Sequence, residues 1–125
     1  MTPLEALADA IMQFEGWFPR SRSWRNRNPG NLRPYSVIQA KDADGYRVFE
    51  SMADGWTALR LDLRAKFEGS HGLTEDSTLL DLLNIYAPAG DANNPTNYTN
   101  FVCKQTSLSL NRAITPTTTL KEFEG

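Results

Sequence analysis

The sequence predicts a mostly helical α+β domain in which a small β-hairpin lobe is set apart from the helices. Apolar residues recur every three or four positions over most of the chain, which is the spacing of one helix face. Between the first two such segments, two short runs of β-forming residues flank an Asp-Gly pair typical of a tight turn. The chain of 125 residues has the length of one domain, and we assign residues 1–125 to it.

The first predicted helix has a defined start and carries a carboxylate at its end. Thr2 and Glu5 have the spacing of a capping box, and Gly16 favours a stop. The apolar face comprises Leu4, Leu7, Ala8 and Ile11. Glu15 continues that face one turn later. Partial burial and the negative end of the helix dipole would both raise its pKa, which suits a general acid near neutral pH. The alternative is an exposed glutamate in a frayed last turn.

The next segment is predicted to be a loop followed by a hairpin. Prolines and glycine interrupt residues 19–36, and Asn28-Pro29-Gly30-Asn31 is a strong turn signal. Residues 37–40 and 46–49 are interpreted as two short strands. The turn between them is expected in Asp42–Gly45. A calcium site in that turn is the weaker alternative, because the rest of an EF-hand loop is absent. No metal and no cofactor is predicted.

A capping pair, Ser51 and Asp54, marks the start of the second helix, and Gly69 marks its end. The apolar stripe of this helix comprises Met52, Trp56, Leu59, Leu63 and Phe67. This stripe is interpreted as core rather than as a binding surface. His71 follows in a connector, where a surface position is favoured over a catalytic one.

Two further helices and a short last one are predicted. The third, over residues 78–86, is apolar on more than one side and is expected to be central, ending at Pro88. The fourth is expected from Asn94 to about Thr106, and the last over 120–123, after a second Thr-x-x-Glu capping box. The residues of the third helix expected to be buried are Leu79, Leu80, Leu82, Leu83 and Ile85.

Composition excludes several classes of protein. The net charge of -2 provides no basic field for nucleic acid. A single cysteine excludes an internal disulfide, and a single histidine leaves no zinc cluster of the usual spacing. No apolar run has the length of a membrane span. The N-terminus lacks the pattern of a signal peptide, so we expect synthesis in the cytoplasm and delivery to any outer site by another component.

The order of short motifs along the chain is informative. Glu15-Gly16-Trp17 is followed by Arg27-Asn28-Pro29-Gly30-Asn31-Leu32-Arg33. Tyr86-Ala87-Pro88 and Asn93-Asn94-Pro95-Thr96 come later, with Tyr98 close behind. This series, which extends over nearly the whole chain, resembles the phage- and prophage-encoded lysozyme-like proteins of the soluble lytic transglycosylase and goose-type lysozyme group.

The resemblance implies a lysozyme-like fold that cleaves the β-1,4 bond between N-acetylmuramic acid and N-acetylglucosamine. Glu15 would match the catalytic acid of that group. Asn31 and Leu32 would match its short loop facing the scissile sugars, Tyr86 the tyrosine near the acid and Tyr98 the aromatic residue on the following helix. Peptidoglycan glycan strands are therefore the expected partner at the bacterial cell wall or periplasm, with virion or tail proteins as further partners.

Most glycosidases use two carboxyl groups. Glu50, at the end of the predicted hairpin, is the best second candidate, ahead of Asp42, Asp44 and Asp91. The resemblance implies that a second carboxylate is dispensable, because the N-acetyl oxygen of the substrate can attack the anomeric carbon. Glu15 would then take the proton of the 6-hydroxyl, giving an anhydro product, or activate water. The sequence leaves these routes open.

The arginines of the loop have a role in this interpretation. Arg25, Arg27 and Arg33 would contact the anionic groups of peptidoglycan, whereas the plainer interpretation is that they are solvated loop charges. A nucleic-acid binder that uses Trp24 with these arginines is disfavoured by the acidic total. The main alternative function is a lysozyme-fold module that binds cell wall without cleaving it.

Overall fold

Five α-helices and two short 3₁₀ segments form the regular structure of the described residues, 1–86 and 94–124, in the computed structural model. The helices are α1 (Pro3–Phe14), α2 (Arg22–Arg25), α3 (Met52–Phe67), α4 (Leu79–Tyr86) and α5 (Pro95–Leu110), and the 3₁₀ segments are Ser70–Gly72 and Leu120–Phe123. The four predicted long helices are confirmed. α2 lies inside the segment predicted to be a loop, where Ser21 caps it by accepting from the Trp24 amide.

Helix α1 begins at the predicted capping box. The Thr2 amide donates to Glu5 Oε1 at 3.0 Å, and the Glu5 amide donates to Thr2 Oγ1 at 3.1 Å. These two bonds satisfy amides that no helical carbonyl can reach. The start of the helix is therefore determined locally, and its apolar face enters the core as predicted.

The core lies where α1 packs against α5 and α3, and where α4 packs against α5. Its fully buried side chains include Leu7, Ile11, Leu59, Leu63, Leu82, Leu83, Val102 and Phe123. The predicted central position of α4 is only partly observed. Leu80 is 37% exposed, because it lies next to the buried Leu79 in sequence and so points about 100° away from it.

The predicted β-hairpin lobe, and with it the α+β fold class, is wrong. Of the described residues, 54% are helical and 3% are in strand conformation, and no sheet is formed. In place of the two strands there is one isolated bridge, between Lys41 and Arg47. Val37 and Ile38, expected in the first strand, are 100% and 90% exposed. The domain is better described as helical, with a long irregular segment between α2 and α3.

The backbone bonds of this segment explain the error. The predicted turn does form, with the Gly45 amide donating to the Asp42 carbonyl at 3.1 Å. Beyond it, the Arg47 amide donates to the Leu32 carbonyl and the Phe49 amide to the Asn26 carbonyl, each at 2.9 Å. The Val48 amide between them donates to the Ala40 carbonyl at 2.8 Å, so of residues 37–40 only Ala40 bonds to the second predicted strand. The residue preferences of this segment were sufficient to predict the turn, but not the hydrogen-bond partners of the residues on either side of it.

Three other predictions concern helix ends. α5 continues past the predicted Thr106 to Leu110 and ends at Asn111 in the left-handed region, φ 53°. The second capping box does not form at Thr119, because the Glu122 carboxylate pairs with Arg112 at 3.3 Å instead. The predicted break after α4, at Pro88 and Gly90, lies outside the described residues.

Close packing of α3 on the preceding turn depends on Gly55. A Cβ atom at this position would lie 1.9 Å from the carbonyl oxygen of Arg27 and 3.0 Å from Cδ of Pro29. Both contacts are with the Asn28 turn, and the nearer one is with backbone. A glycine inside a helix normally costs stability relative to alanine, so here the close approach of the two segments outweighs helix propensity.

We predict that Gly55→Ala lowers the free energy of unfolding by about 1–3 kcal/mol, because the added methyl would displace the Arg27 carbonyl. Urea denaturation measures this. The matched control is Ala53→Gly, at an exposed position in the same helix, which should cost no more than about 1 kcal/mol. A stabilised Gly55→Ala variant would contradict the close approach.

Candidate active site

A cleft of about 1210 Å³ runs between the irregular segment and α3. One wall comes from residues 30–50, and the other from the exposed side of α3, with contributions from the ends of α1 and α4. Six of the seven predicted site residues line it: Glu15, Asn31, Leu32, Arg33, Glu50 and Tyr86. Residues far apart in sequence therefore meet in one concave site of the kind that binds ligands.

Glu15 is the C-cap residue of α1. Its amide donates to the Ile11 carbonyl at 2.9 Å, and its side chain is half-buried at the cleft. Its own carbonyl accepts from Asn31 Nδ2 at 3.3 Å. This bond joins the end of the helix to the turn predicted at Asn28–Asn31, so the backbone of Glu15 is held on two sides.

Asn28 organises the loop wall of the cleft. It is fully buried, and its Nδ2 donates to the carbonyls of Leu32 and Arg47, both at 2.9 Å. Its Oδ1 accepts from the Leu32 amide at 2.9 Å. One side chain thus bonds both chain segments of this wall. Asn31, the last residue of the turn, has φ 47°, a conformation that asparagine tolerates better than most residues.

A charged cluster on the helix wall was not identified from the sequence. Tyr86 Oη donates to Asp62 Oδ2 at 2.5 Å, and Lys66 Nζ donates to the same oxygen at 2.6 Å. Lys66 is only 5% exposed and its Nζ lies 5.0 Å from the Tyr86 ring centroid. The sequence did contain a signal for it. Lys66 lies seven residues, or two helical turns, after Leu59 and so falls on the apolar face of α3, and Asp62 lies four residues before Lys66, where it can pair with it.

Tyr86 remains neutral at physiological pH. Burial, followed by the charge and hydrogen bond of Asp62 and the charge of Glu15, raises its pKa well above the ordinary value of 10.0. Its proton is directed to Asp62, and the lone pairs of its oxygen are left to accept from a ligand. Tyr86 therefore supplies the cleft with an uncharged acceptor near Glu15.

Tyr98 does not line the cleft. It is fully buried, and its ring stacks on Phe14 with centroids 4.0 Å apart. Its hydroxyl has no hydrogen-bond partner among the described residues. Burial, with the nearby charge of Glu15, raises its pKa well above 10.0. The predicted substrate contact is thus replaced by a position behind Glu15, where Tyr98 supports α1.

The other predicted carboxylates have different surroundings. Glu50 is exposed and lines the cleft. Asp42 is held by the Asn26 side chain at 2.8 Å and by the amides of its own turn, and these bonds lower its pKa. Asp44 pairs with Arg22 at 3.0 Å. Asp42 and Asp44 therefore stabilise the turn, and Asp91 lies outside the described residues.

Two carboxylates that were not predicted also line the cleft: Asp54 and Asp62. Both come from α3, as does the neighbouring Lys66. His71, expected at the surface, is exposed and lies at the cleft with Nδ1 2.6 Å from Ser70 Oγ. Of the ionisable groups on the helix wall, Asp54 and His71 are exposed, whereas Asp62, Lys66 and Tyr86 are at least partly buried.

The three arginines considered as peptidoglycan contacts from the sequence occupy different environments in the structure. Arg25 is exposed and outside the cleft. Arg27 donates to the Phe49 carbonyl at 3.4 Å and so has a structural contact. Arg33 lines the cleft, with its guanidinium 4.2 Å from the Tyr46 ring centroid. Of the loop aromatics, Trp24 is 45% exposed and does not enter the core.

The described residues contain no helix that combines the length and hydrophobicity needed to cross a bilayer. Comparison of the chain with protein-family models, with curated proteins and with solved structures gives no significant match. Any assignment of function therefore depends on the motifs and on the geometry of the cleft.

We predict that Asn28→Asp lowers the free energy of unfolding by about 2–4 kcal/mol, because a carboxylate cannot donate to the carbonyls of Leu32 and Arg47. Urea denaturation at pH 7 measures this. Asn100→Asp, at an exposed position on α5, is the matched control and should change stability by less than about 0.5 kcal/mol. Equal effects of the two substitutions would contradict the role given to Asn28.

The raised pKa values of Tyr86 and Tyr98 predict a loss of stability at alkaline pH. Above pH 10.0, the ordinary tyrosine value, the unfolded chain loses its phenolic protons before the folded protein does, so the free energy of unfolding falls as pH rises. Tyr98→Phe should make this decline shallower.

The same variant should be neutral or slightly stabilising at pH 7, because it removes a buried hydroxyl without a partner. Urea denaturation between pH 7 and 11 tests both expectations. Tyr35→Phe, at a residue that is 86% exposed, is the control and should leave the slope unchanged. If Tyr98→Phe also left the dependence of unfolding free energy on pH unchanged, that result would be inconsistent with a raised pKa of Tyr98.

Proposed function

We propose that this protein cleaves the β-1,4 bond between N-acetylmuramic acid and N-acetylglucosamine in peptidoglycan, with Glu15 as general acid and then base. The observation that carries the proposal is the meeting of Glu15 with Asn31, Leu32 and Tyr86 in one long cleft. These are residues that the motif resemblance implied. The support comes from this set of residues and not from the fold class.

The position of Glu15 suits a proton donor. It caps the C-terminal end of α1 and is half-buried, and a helix C-terminus and desolvation both favour the uncharged form of a carboxyl group. In the proposed reaction, Glu15 gives its proton to the glycosidic oxygen as the bond to the anomeric carbon breaks. The resulting carboxylate can then act as a base.

The second half of the reaction has two routes. In one, the N-acetyl oxygen of the substrate attacks the anomeric carbon, and Glu15 then takes the proton of the 6-hydroxyl to give an anhydro sugar. In the other, Glu15 or a second carboxylate activates water. Glu50, Asp54 and Asp62 all line the cleft and are the second carboxylates that the second route has available.

Tyr86 and Asp62 have a defined part in this proposal. Because the Tyr86 proton is bonded to Asp62, the phenol oxygen presents lone pairs to the substrate. It would accept from the amide N–H of an N-acetyl group and so orient the acetamido oxygen. The Asp62–Lys66 pair fixes the rotation of the Tyr86 hydroxyl.

Glu15→Gln should keep the fold and lower the release of soluble muropeptides from purified peptidoglycan by at least about 100-fold. Circular dichroism checks the fold, and mass spectrometry of the digest separates anhydro from reducing ends. Glu68→Gln is the matched control, since Glu68 is also the C-cap of a helix but is exposed and outside the cleft.

Retention of the parental rate by Glu15→Gln would overturn the assignment of the acid. Binding of walls by the wild-type protein without any muropeptide release would favour the alternative, a non-catalytic module that binds cell wall. We place the site of action at the bacterial cell wall as part of the same proposal.

A further inference from the structure

One arginine of the cleft has a guanidinium that forms neither a hydrogen bond nor an ion pair with the described residues. Arg47 lines the loop wall and is half-buried. Its backbone is fixed on both sides, with the amide donating to the Leu32 carbonyl and the carbonyl accepting from Asn28. Its guanidinium makes no hydrogen bond and no ion pair with any residue in 1–86 or 94–124. Its nitrogen atoms remain accessible to solvent, and therefore to a ligand.

The guanidinium is nevertheless held in place. It lies 4.3 Å from the ring centroid of Phe49 and 5.8 Å from that of Tyr35. Phe49 is itself only 5% exposed and is therefore a rigid platform. Stacking on an aromatic face orients the guanidinium while leaving its N–H groups available for bonds in the plane. Arg47 is thus prepared to bind a planar anion by a two-pronged contact.

The other cations of the cleft are already engaged. Lys66 is paired with Asp62 at 2.6 Å. Arg33 donates to the Asp44 carbonyl at 3.3 Å while it lies over Tyr46. The helix wall carries Asp54 and Asp62, the latter paired with Lys66, whereas Glu50 belongs to the loop wall. Among the arginines and lysines that line the described part of the cleft, Arg47 is therefore the one whose N–H groups remain available to an anionic ligand.

We propose that Arg47 binds a carboxylate of the peptide stem carried by N-acetylmuramic acid, so that the cleft selects peptide-bearing glycan over uncharged N-acetylglucosamine polymers. This inference rests on the proposed function, since it names the part of the substrate that the same cleft recognises. It also orients the glycan: the stem lies along the loop wall, and the sugar edge without a stem faces α3.

Binding to the Glu15→Gln protein tests this without turnover, by titration calorimetry. The three ligands are glycan oligomers with free stem carboxylates, the same oligomers with amidated carboxylates, and uncharged chito-oligosaccharides of equal length. The free-carboxylate ligand should bind at least about 10-fold more tightly than the amidated one. This comparison needs no further variant and so does not depend on the folding of one.

Arg47→Met should remove that difference while leaving chito-oligosaccharide binding unchanged. Arg47→Lys, which keeps the charge but not the planar fork, should restore only part of it. Arg25→Met is the matched control, because Arg25 is an exposed arginine outside the cleft, and it should behave as the parent does.

Equal affinity of the parent for free and amidated stems would overturn the proposal. So would displacement of the stem ligand by inorganic phosphate or single-stranded DNA at lower concentration than by a free stem peptide, since the site would then be a general anion site. If the wild-type protein releases no muropeptide but the Arg47 difference is present, the glycosidase assignment fails and recognition of the stem stands.

Discussion

The cleft depends on the hydrogen bonds of one buried side chain, that of Asn28. Its amide donates to two carbonyls and its oxygen accepts from one backbone amide, so three backbone groups of the irregular segment are satisfied without a sheet. Backbone groups that lose water must find partners. Because Asn28 supplies them, residues 30–50 can form an irregular segment that lines one side of the cleft.

Two contacts transmit this arrangement to the helices. Gly55 lets the first turns of α3 lie directly on the Arg27 carbonyl, and Asn31 bonds to the carbonyl of Glu15 at the end of α1. The turn is therefore fixed between two helices whose own positions follow from packing in the core. The separation of Glu15 from the loop wall is a consequence of these contacts and not of either segment alone.

The electrostatics of the cleft divide into satisfied and unsatisfied charges. Lys66 and Tyr86 both donate to Asp62, which compensates for the burial of these groups and leaves a neutral phenol beside the cleft. Arg47 is oriented by aromatic rings and forms no ion pair with the described residues. The substrate that we propose, peptidoglycan, carries both N-acetyl groups, which would bond to the phenol, and carboxylates, which would bond to Arg47.

Much of the helical architecture could be predicted from the sequence, because it depends on local rules. The capping box at Thr2, the cap at Ser51 and the apolar stripes of α1 and α3 determine where helices begin and which faces are buried. The placement of Glu15 at a helix end and of a turn at Asn28 follows from the same local signals. These predictions need no knowledge of distant residues.

Features that depend on contacts between distant segments were decided only by the tertiary structure. The β-type residues 37–40 had the propensity of a strand, but only Ala40 bonds to the second run, through the Val48 amide, and Val37 and Ile38 lie exposed. Tyr98 proved to lie beneath the site, and the Asp62–Tyr86 bond joins residues 24 positions apart. The sequence by itself determined the helices and the acid at the end of α1. Only the folded chain decided which groups share the cleft, because hydrogen bonds and charge pairs form between whichever segments the core brings together.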